Sequence, residues 1–176
     1  MGAPRPGRVL VAEGELTARV AELGRAIARD YARKHPVLVG VLQGAVPFVA
    51  DLMRVLPIDL TVDFIRPSSY GAGTSSSGTV RLVADLAIDI ADRHVLIVDD
   101  IVDTGLTLGA LKRMLEARRP RSVRTCVLLD KAGRRETDVT IDYVGFSIPN
   151  VFVVGYGLDY GGLYRNLPYV AALDAS

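Results

Sequence analysis

Short runs rich in apolar and β-branched residues alternate along this chain with longer stretches whose apolar positions recur every three or four residues. Runs of the first kind lie at 37–42, 58–65, 80–83, 95–98, 123–129, 142–146 and 151–154, with a last one at 167–173. The unbroken Val95-Leu96-Ile97-Val98 fits a strand buried on both faces of a parallel sheet, and 37–42 reads the same way. Stretches of the second kind predict helices. From residue 15 onward Leu16, Val20, Leu23, Ile27 and Tyr31 share one face, with Arg19, Glu22, Arg25, Arg29 and Asp30 on a solvated side to which no function is assigned. His35-Pro36 should stop this helix, because the residue before a proline avoids helical geometry. A second helix is predicted over 45–55, with Pro47 in its first turn where a missing N–H does no harm. Leu108, Leu111 and Leu115 mark a third over 106–118. Residues 1–14 read as an arm with a short extended piece at 8–12. These elements predict an α/β fold: a single domain with a central, mostly parallel twisted sheet flanked by helices.

The residues at the strand ends carry the chemistry. Asp99 and Asp100 follow 95–98 directly, where ligands of open α/β sheets bind beyond the carboxyl ends of the strands. Asp103-Thr104-Gly105-Leu106-Thr107 then leads into the third helix. Unpaired N–H groups and the helix dipole favour an anion there, Gly105 allows close backbone approach, and Thr104 and Thr107 add hydroxyl donors. This is a candidate phosphate site. Two adjacent carboxylates repel a phosphate, so Asp99 and Asp100 suit ribose hydroxyls or a hydrated Mg²⁺. Simple helix capping is the alternative for an isolated Asp-x-Thr-Gly, and three acids in five positions directly after a buried strand weigh against it. Strand 37–42 likewise delivers Gln43-Gly44 to a helix start, with a plain strand-to-helix turn as the alternative. Strand 123–129 ends in Asp130-Lys131-Ala132, which directs a lysine toward the same crevice unless it is an ordinary surface cation. Residues 66–79 hold three glycines, five serines and one aromatic, too little apolar surface for a packed element, and long loops inside compact domains are often active-site lids. Neither GxxxxGK[ST] nor a GxGxxG after a strand occurs.

VLIVDDIVDTGLTL resembles the phosphoribosyl pyrophosphate signature of type I phosphoribosyltransferases, and four motifs in the family's order extend the likeness over residues 15–173. The resemblance implies the type I phosphoribosyltransferase fold, phosphoribosyl pyrophosphate and a 6-oxopurine base as substrates, and Mg²⁺ as cofactor. It implies that Asp103 accepts, or hydrogen-bonds to, the proton on the base's imidazole nitrogen. Asp99 and Asp100 would meet the ribose hydroxyls and Thr104, Gly105 and Thr107 the ribose phosphate, with Ile101, Val102 and Leu106 in the same phosphoribosyl-binding stretch. Gln43 and Gly44 would contact pyrophosphate, with a cis peptide expected between Leu42 and Gln43, and Ser69-Tyr70 matches the family's lid pair. VFVVGYGLDY resembles the base-binding hood of hypoxanthine-guanine phosphoribosyltransferases. By that likeness Phe152 stacks on the purine, the Val153 backbone meets its edge, and Lys131 bonds the exocyclic oxygen at the six-position. Asp159 lies at the two-position end of the base and would hold a second Mg²⁺ on pyrophosphate, for which Asp100 and Asp99 are further metal candidates; Arg165 would bind the pyrophosphate itself. The hood would comprise the N-terminal arm and residues 130–173. Two positions depart from the family's common residues: Gln43 stands where Lys is usual, and Asp99 where Glu is more frequent.

Composition narrows the field. At 176 residues and 49% hydrophobic content the chain has material for one core. A net charge of +1 implies no bulk attraction to nucleic acid or anionic membrane, and the basic residues around 112–121 read as a solvated helix end. The single cysteine, Cys126, sits in a strand, excludes an intrachain disulfide and is compatible with a reducing cytoplasm. No apolar stretch approaches a membrane span. The expected activity is purine salvage: transfer of the phosphoribosyl group to hypoxanthine or guanine, giving IMP or GMP and pyrophosphate, by a homodimer or homotetramer. A xanthine-preferring transferase and a nucleotide-sensing RNA-binding regulator on the same fold are the alternatives.

Overall fold

The structure is a computed structural model that describes residues 5–68 and 80–174; the expected lid pair, Ser69 and Tyr70, lies outside the described residues. In chain order the elements are β1 (Pro6–Val11), α1 (Glu13–Asp30), β2 (Val37–Val41), α2 (Val46–Arg54), β3 (Thr61–Pro67), β4 (Leu82–Ala84), β5 (His94–Val102), α3 (Leu106–Glu116), β6 (Ser122–Asp130), β7 (Tyr143–Ser147), β8 (Val153–Val154) and β9 (Val170–Leu173). Six strands form the main sheet in the order β4-β3-β2-β5-β6-β7, and β1, β9 and β8 form a second, smaller sheet. All main-sheet pairs are parallel except β3 with β4. No described helix is long and apolar enough to cross a membrane.

Strand pleating sorts the apolar runs into two cores, because successive side chains point to opposite faces. Leu38, Leu96, Val98, Cys126 and Leu128 join α1 and α2 on one side, while Val37, Val39, Val95, Ile97 and Val127 join α3 on the other. Every one of these strand side chains is fully buried, as expected of strands interior to a parallel sheet. Leu16, Val20, Leu23 and Ile27 supply the buried face of α1, each worth about 1.5–3 kcal/mol of burial. Burial also pushes the Cys126 thiol upward, so this cysteine behaves as a small core residue.

Several boundaries differ from the sequence expectation. Helix α1 ends at Asp30, with Tyr31 capping and Arg33 and His35 in left-handed conformations, so the chain turns before Pro36 is reached. Arg19 does more than face solvent: its Nε and Nη2 donate to the carbonyls of Gly145 (2.9 Å) and Val144 (2.8 Å), tying α1 to β7. Strand β5 runs four residues past the apolar stretch, because Asp99 and Ile101 still pair with Val127 and Leu129 of β6. Only Val153 and Val154 of the expected strand at 151–154 pair as β8, opposite Ala172 and Ala171 of β9, and Gly155 at φ 99° turns the chain directly after them.

Candidate active site

The carboxyl ends of β2, β5 and β6 converge with the turn that follows β8. After β5 the chain enters the loop that starts α3, whose N-cap is Gly105 at φ 82°. A Cβ there would come within 2.7 Å of Thr137 Oγ1 and 2.9 Å of Val139 Cγ1, so glycine is required for both its backbone angle and its lack of a side chain. The loop is fixed from behind: Glu136 N–H donates to the Thr104 carbonyl (2.9 Å), and the Arg135 guanidinium pairs with Asp130 at 2.7 Å. In front it opens on a cavity of about 450 Å³ lined by Asp99, residues 101–108 and Glu136. Of the predicted phosphoribosyl residues only Asp100 lies outside that lining.

Asp99 and Asp100 are packed side by side at the end of β5. Burial raises the Asp99 carboxyl well above the usual carboxylate range, and the neighbouring Asp100 charge raises it further. Burial also raises Asp100, against hydrogen bonds from Asp99 and the Ile101 N–H and against the positive charge of Arg165. The raised Asp99 value means that the folded chain holds a proton that the unfolded chain, at 3.8, has already released. Stability from this group is therefore complete below the unfolded value of 3.8 and is lost as pH rises from there through the raised value of the folded chain. Asp99→Asn should raise the Tm of the unliganded protein at about pH 7, with a gain that shrinks toward about pH 4. A Tm difference independent of pH would refute the assignment.

Asp103 is 43% exposed at its side chain and lies 3.0 Å from Arg134 Nε, an ion pair without the alignment of a hydrogen bond. Arg134 belongs to a single 3₁₀ turn, Ala132–Arg134, directly after Lys131. Lys131 itself is 8% exposed, and its backbone N–H donates to the Val102 carbonyl at 3.0 Å, joining the ends of β5 and β6. Between β2 and α2 the Leu42–Gln43 peptide is cis, as expected. Gly44 is buried against β5, where a Cβ would fall on the Asp100 carboxylate.

The hood residues approach from the other side. Gly157 would place a Cβ on the Gly44 carbonyl, so the turn after β8 rests on the Gln43-Gly44 loop. Arg165 donates from Nη1 to the Gly157 carbonyl (2.5 Å) and pairs through Nη2 with Asp159 (2.7 Å). Phe152 is 54% exposed and meets Tyr160 edge-on at 5.8 Å between ring centroids, while Val153 is buried and pairs with Ala172 of β9.

The sequence profile of the phosphoribosyl transferase domain matches residues 10–161. The chain belongs to this family. Within it, the hypoxanthine-guanine phosphoribosyltransferase of Mycobacterium bovis is 51% identical over 172 residues, which cover 94% of this chain and 85% of that protein. The bifunctional protein TilS/HprT of Listeria monocytogenes is 46% identical over 166 residues, again 94% of this chain but 26% of the relative. The chain thus spans about a quarter of the length of that bifunctional protein. A crystal structure of a hypoxanthine-guanine phosphoribosyltransferase from Bacillus anthracis, with HEPES in its active site, superposes with a TM-score of 0.92 at 42% identity, over 97% of this chain and 100% of that one.

Three residues of this phosphoribosyl transferase site escaped the sequence reading. Arg134, Arg135 and Glu136 follow β6 in a charged stretch without apolar periodicity, yet they pair with Asp103, pair with Asp130 and line the cavity respectively. Their placement three to five positions after a strand-end lysine was the available signal. Their partners on β5 and β6 appear only once the strands are side by side.

Proposed function

We propose that this phosphoribosyl transferase domain transfers the phosphoribosyl group from phosphoribosyl pyrophosphate to a 6-oxopurine, hypoxanthine or guanine, releasing pyrophosphate and a nucleoside monophosphate. The observation that carries the reading is the Asp103–Thr107 loop: a helix start at Gly105 opening into a cavity that Asp99 also lines. Thr104, Gly105 and Thr107 hold the ribose phosphate with their N–H and hydroxyl donors, and Leu106 contributes its backbone. Asp99 and Asp100 accept from the ribose hydroxyls, and Ile101 and Val102 shape the wall between them and the loop. Gln43, Gly44 and Arg165 bind the pyrophosphate, the arginine through its planar pair of donors. Lys131, Phe152, Val153 and the Asp159 region receive the base.

Bond breaking at the anomeric carbon leaves a cationic sugar. Asp103 accepts the imidazole proton as the opposite nitrogen forms the new bond, so charge on the base is neutralised while the nucleophile adds. Water must be excluded during this step, and the stretch that carries Ser69 and Tyr70 is assigned the role of lid. Positioning and charge stabilisation supply the rate, without a covalent enzyme intermediate.

Mg²⁺ suits the donors present. Asp99 and Asp100 are an adjacent acidic pair whose repulsion a cation relieves, and Asp159 adds a carboxylate at the pyrophosphate end. Among the described residues no three His, Cys, Asp or Glu side chains cluster, which fits an ion that keeps waters and substrate oxygens as its main ligands. When bound, it neutralises the charge of the departing pyrophosphate. The chain acts as one domain in the cytoplasm, as a homodimer or homotetramer.

An absorbance assay with Mg²⁺ and phosphoribosyl pyrophosphate tests the reading against hypoxanthine, guanine, xanthine, adenine and uracil in parallel. Turnover is expected with 6-oxopurines alone. Turnover of adenine or uracil at comparable rates, or of no base at all, would overturn it.

A further inference from the structure

Tyr156 has a backbone conformation that its side chain does not favour. It sits at φ 49°, between Gly155 at 99° and Gly157 at 100°, so three successive residues of the turn after β8 are left-handed. A bulky residue in this region is an outlier that costs on its own, and such outliers persist where the surroundings hold them. What holds this one is visible. The Tyr156 ring is buried, and its hydroxyl donates to Asp51 Oδ2 of α2 at 2.6 Å. Its backbone N–H donates to the Leu167 carbonyl at 2.8 Å.

The turn so anchored carries the arginine proposed for pyrophosphate. Gly157 N–H donates to the Arg165 carbonyl at 3.0 Å, and the Gly157 carbonyl accepts from Arg165 Nη1. The other face of Gly157 lies against the Gly44 carbonyl, with Pro47 Cδ 2.9 Å from where a Cβ would stand. The segment from the Gln43-Gly44 loop into α2 therefore touches this turn twice, once through backbone at Gly44 ahead of the helix and once through Asp51 and Tyr156 within it, seven residues further along. Two separated contacts fix an orientation that one cannot. We infer that the Tyr156–Asp51 hydrogen bond is a clasp that sets the position of Arg165 over the Gln43-Gly44 loop, making Tyr156 and Asp51 positioning residues for pyrophosphate. The inference rests on the pyrophosphate role proposed for Arg165.

The test is calorimetric titration of magnesium pyrophosphate into the full chain. Tyr156→Phe removes one hydroxyl and leaves the ring, and should weaken binding roughly 10-fold. Asp51→Asn keeps an amide oxygen to accept the hydroxyl and should bind within about 2-fold of the parent, whereas Asp51→Leu should match Tyr156→Phe. In an Arg165→Ala background, Tyr156→Phe should add little further loss, because the clasp acts through the arginine. A hydrogen bond serving stability alone would lower the Tm of Tyr156→Phe and leave its affinity unchanged. That result overturns the clasp, as does a parent chain that binds no pyrophosphate. Base turnover is followed separately: its absence alongside Tyr156-dependent pyrophosphate binding would defeat the proposed reaction and uphold the clasp.

Discussion

Asp103→Asn should lower turnover by roughly 10²- to 10⁴-fold, the range for loss of a positioned acid or base. Affinity for phosphoribosyl pyrophosphate should change far less. The substitution preserves volume, and an amide oxygen can still face Arg134 Nε, which now lies 3.0 Å from Asp103 Oδ1. What changes is the other end of the group. An amide presents N–H toward the imidazole N–H of the incoming base, donor against donor, and it cannot take the proton. The phosphate-binding part of the loop is untouched, since it is built from the Gly105 conformation and the Glu136-to-Thr104 hydrogen bond. Steady-state kcat and the dissociation constant of phosphoribosyl pyrophosphate, measured on one preparation, separate the two effects. Undiminished kcat removes Asp103 from the chemistry. An equal loss in kcat and in phosphoribosyl pyrophosphate affinity would instead make Asp103 a residue that shapes the loop.

How far such a site can be read in advance depends on whether its signals are local. Val95 to Val98 announces a buried strand because both faces of a central parallel strand are apolar, and the acids that follow announce a ligand edge. Leu16 to Ile27 announces a helix because one face repeats. The extension of β5 through Val102 has no such mark: Asp99 belongs to the strand only because β6 lies beside it, with Val127 opposite. The same holds for the side chains that tune the site. Arg134 meets Asp103 across 31 positions, and Tyr156 meets Asp51 across 105, a separation at which no periodicity operates. Arg19 misled for the converse reason. Its spacing puts it on the polar side of α1, yet β7 passes close by with the carbonyls of Val144 and Gly145 within reach of a long side chain.

Lys131→Ala should lower kcat/KM for hypoxanthine on the order of 10- to 100-fold, as for loss of a charge-assisted hydrogen bond, and should reduce the preference for 6-oxopurines over adenine by a similar factor. Lys131 is 8% exposed, and among the described residues its ammonium has no hydrogen-bond or ion-pair partner. The stem is packed while the ammonium, which is not among the enclosed polar atoms, reaches solvent. The adjacent carboxylate, Asp130, is engaged by Arg135 at 2.7 Å, so it leaves the ammonium uncommitted. Three donors therefore face the site and can exchange water for an acceptor on a ligand. A purine carbonyl at the six-position supplies one; the amino group of adenine sets donor against donor and is disfavoured. Truncation to alanine removes both the attraction and the rejection, so hypoxanthine should lose while adenine changes little. Specificity constants for hypoxanthine, guanine and adenine on the parent and Lys131→Ala enzymes decide the matter. Equal losses for all three bases would make the Lys131 side chain a packing element of the site and would leave the choice of base to the hood.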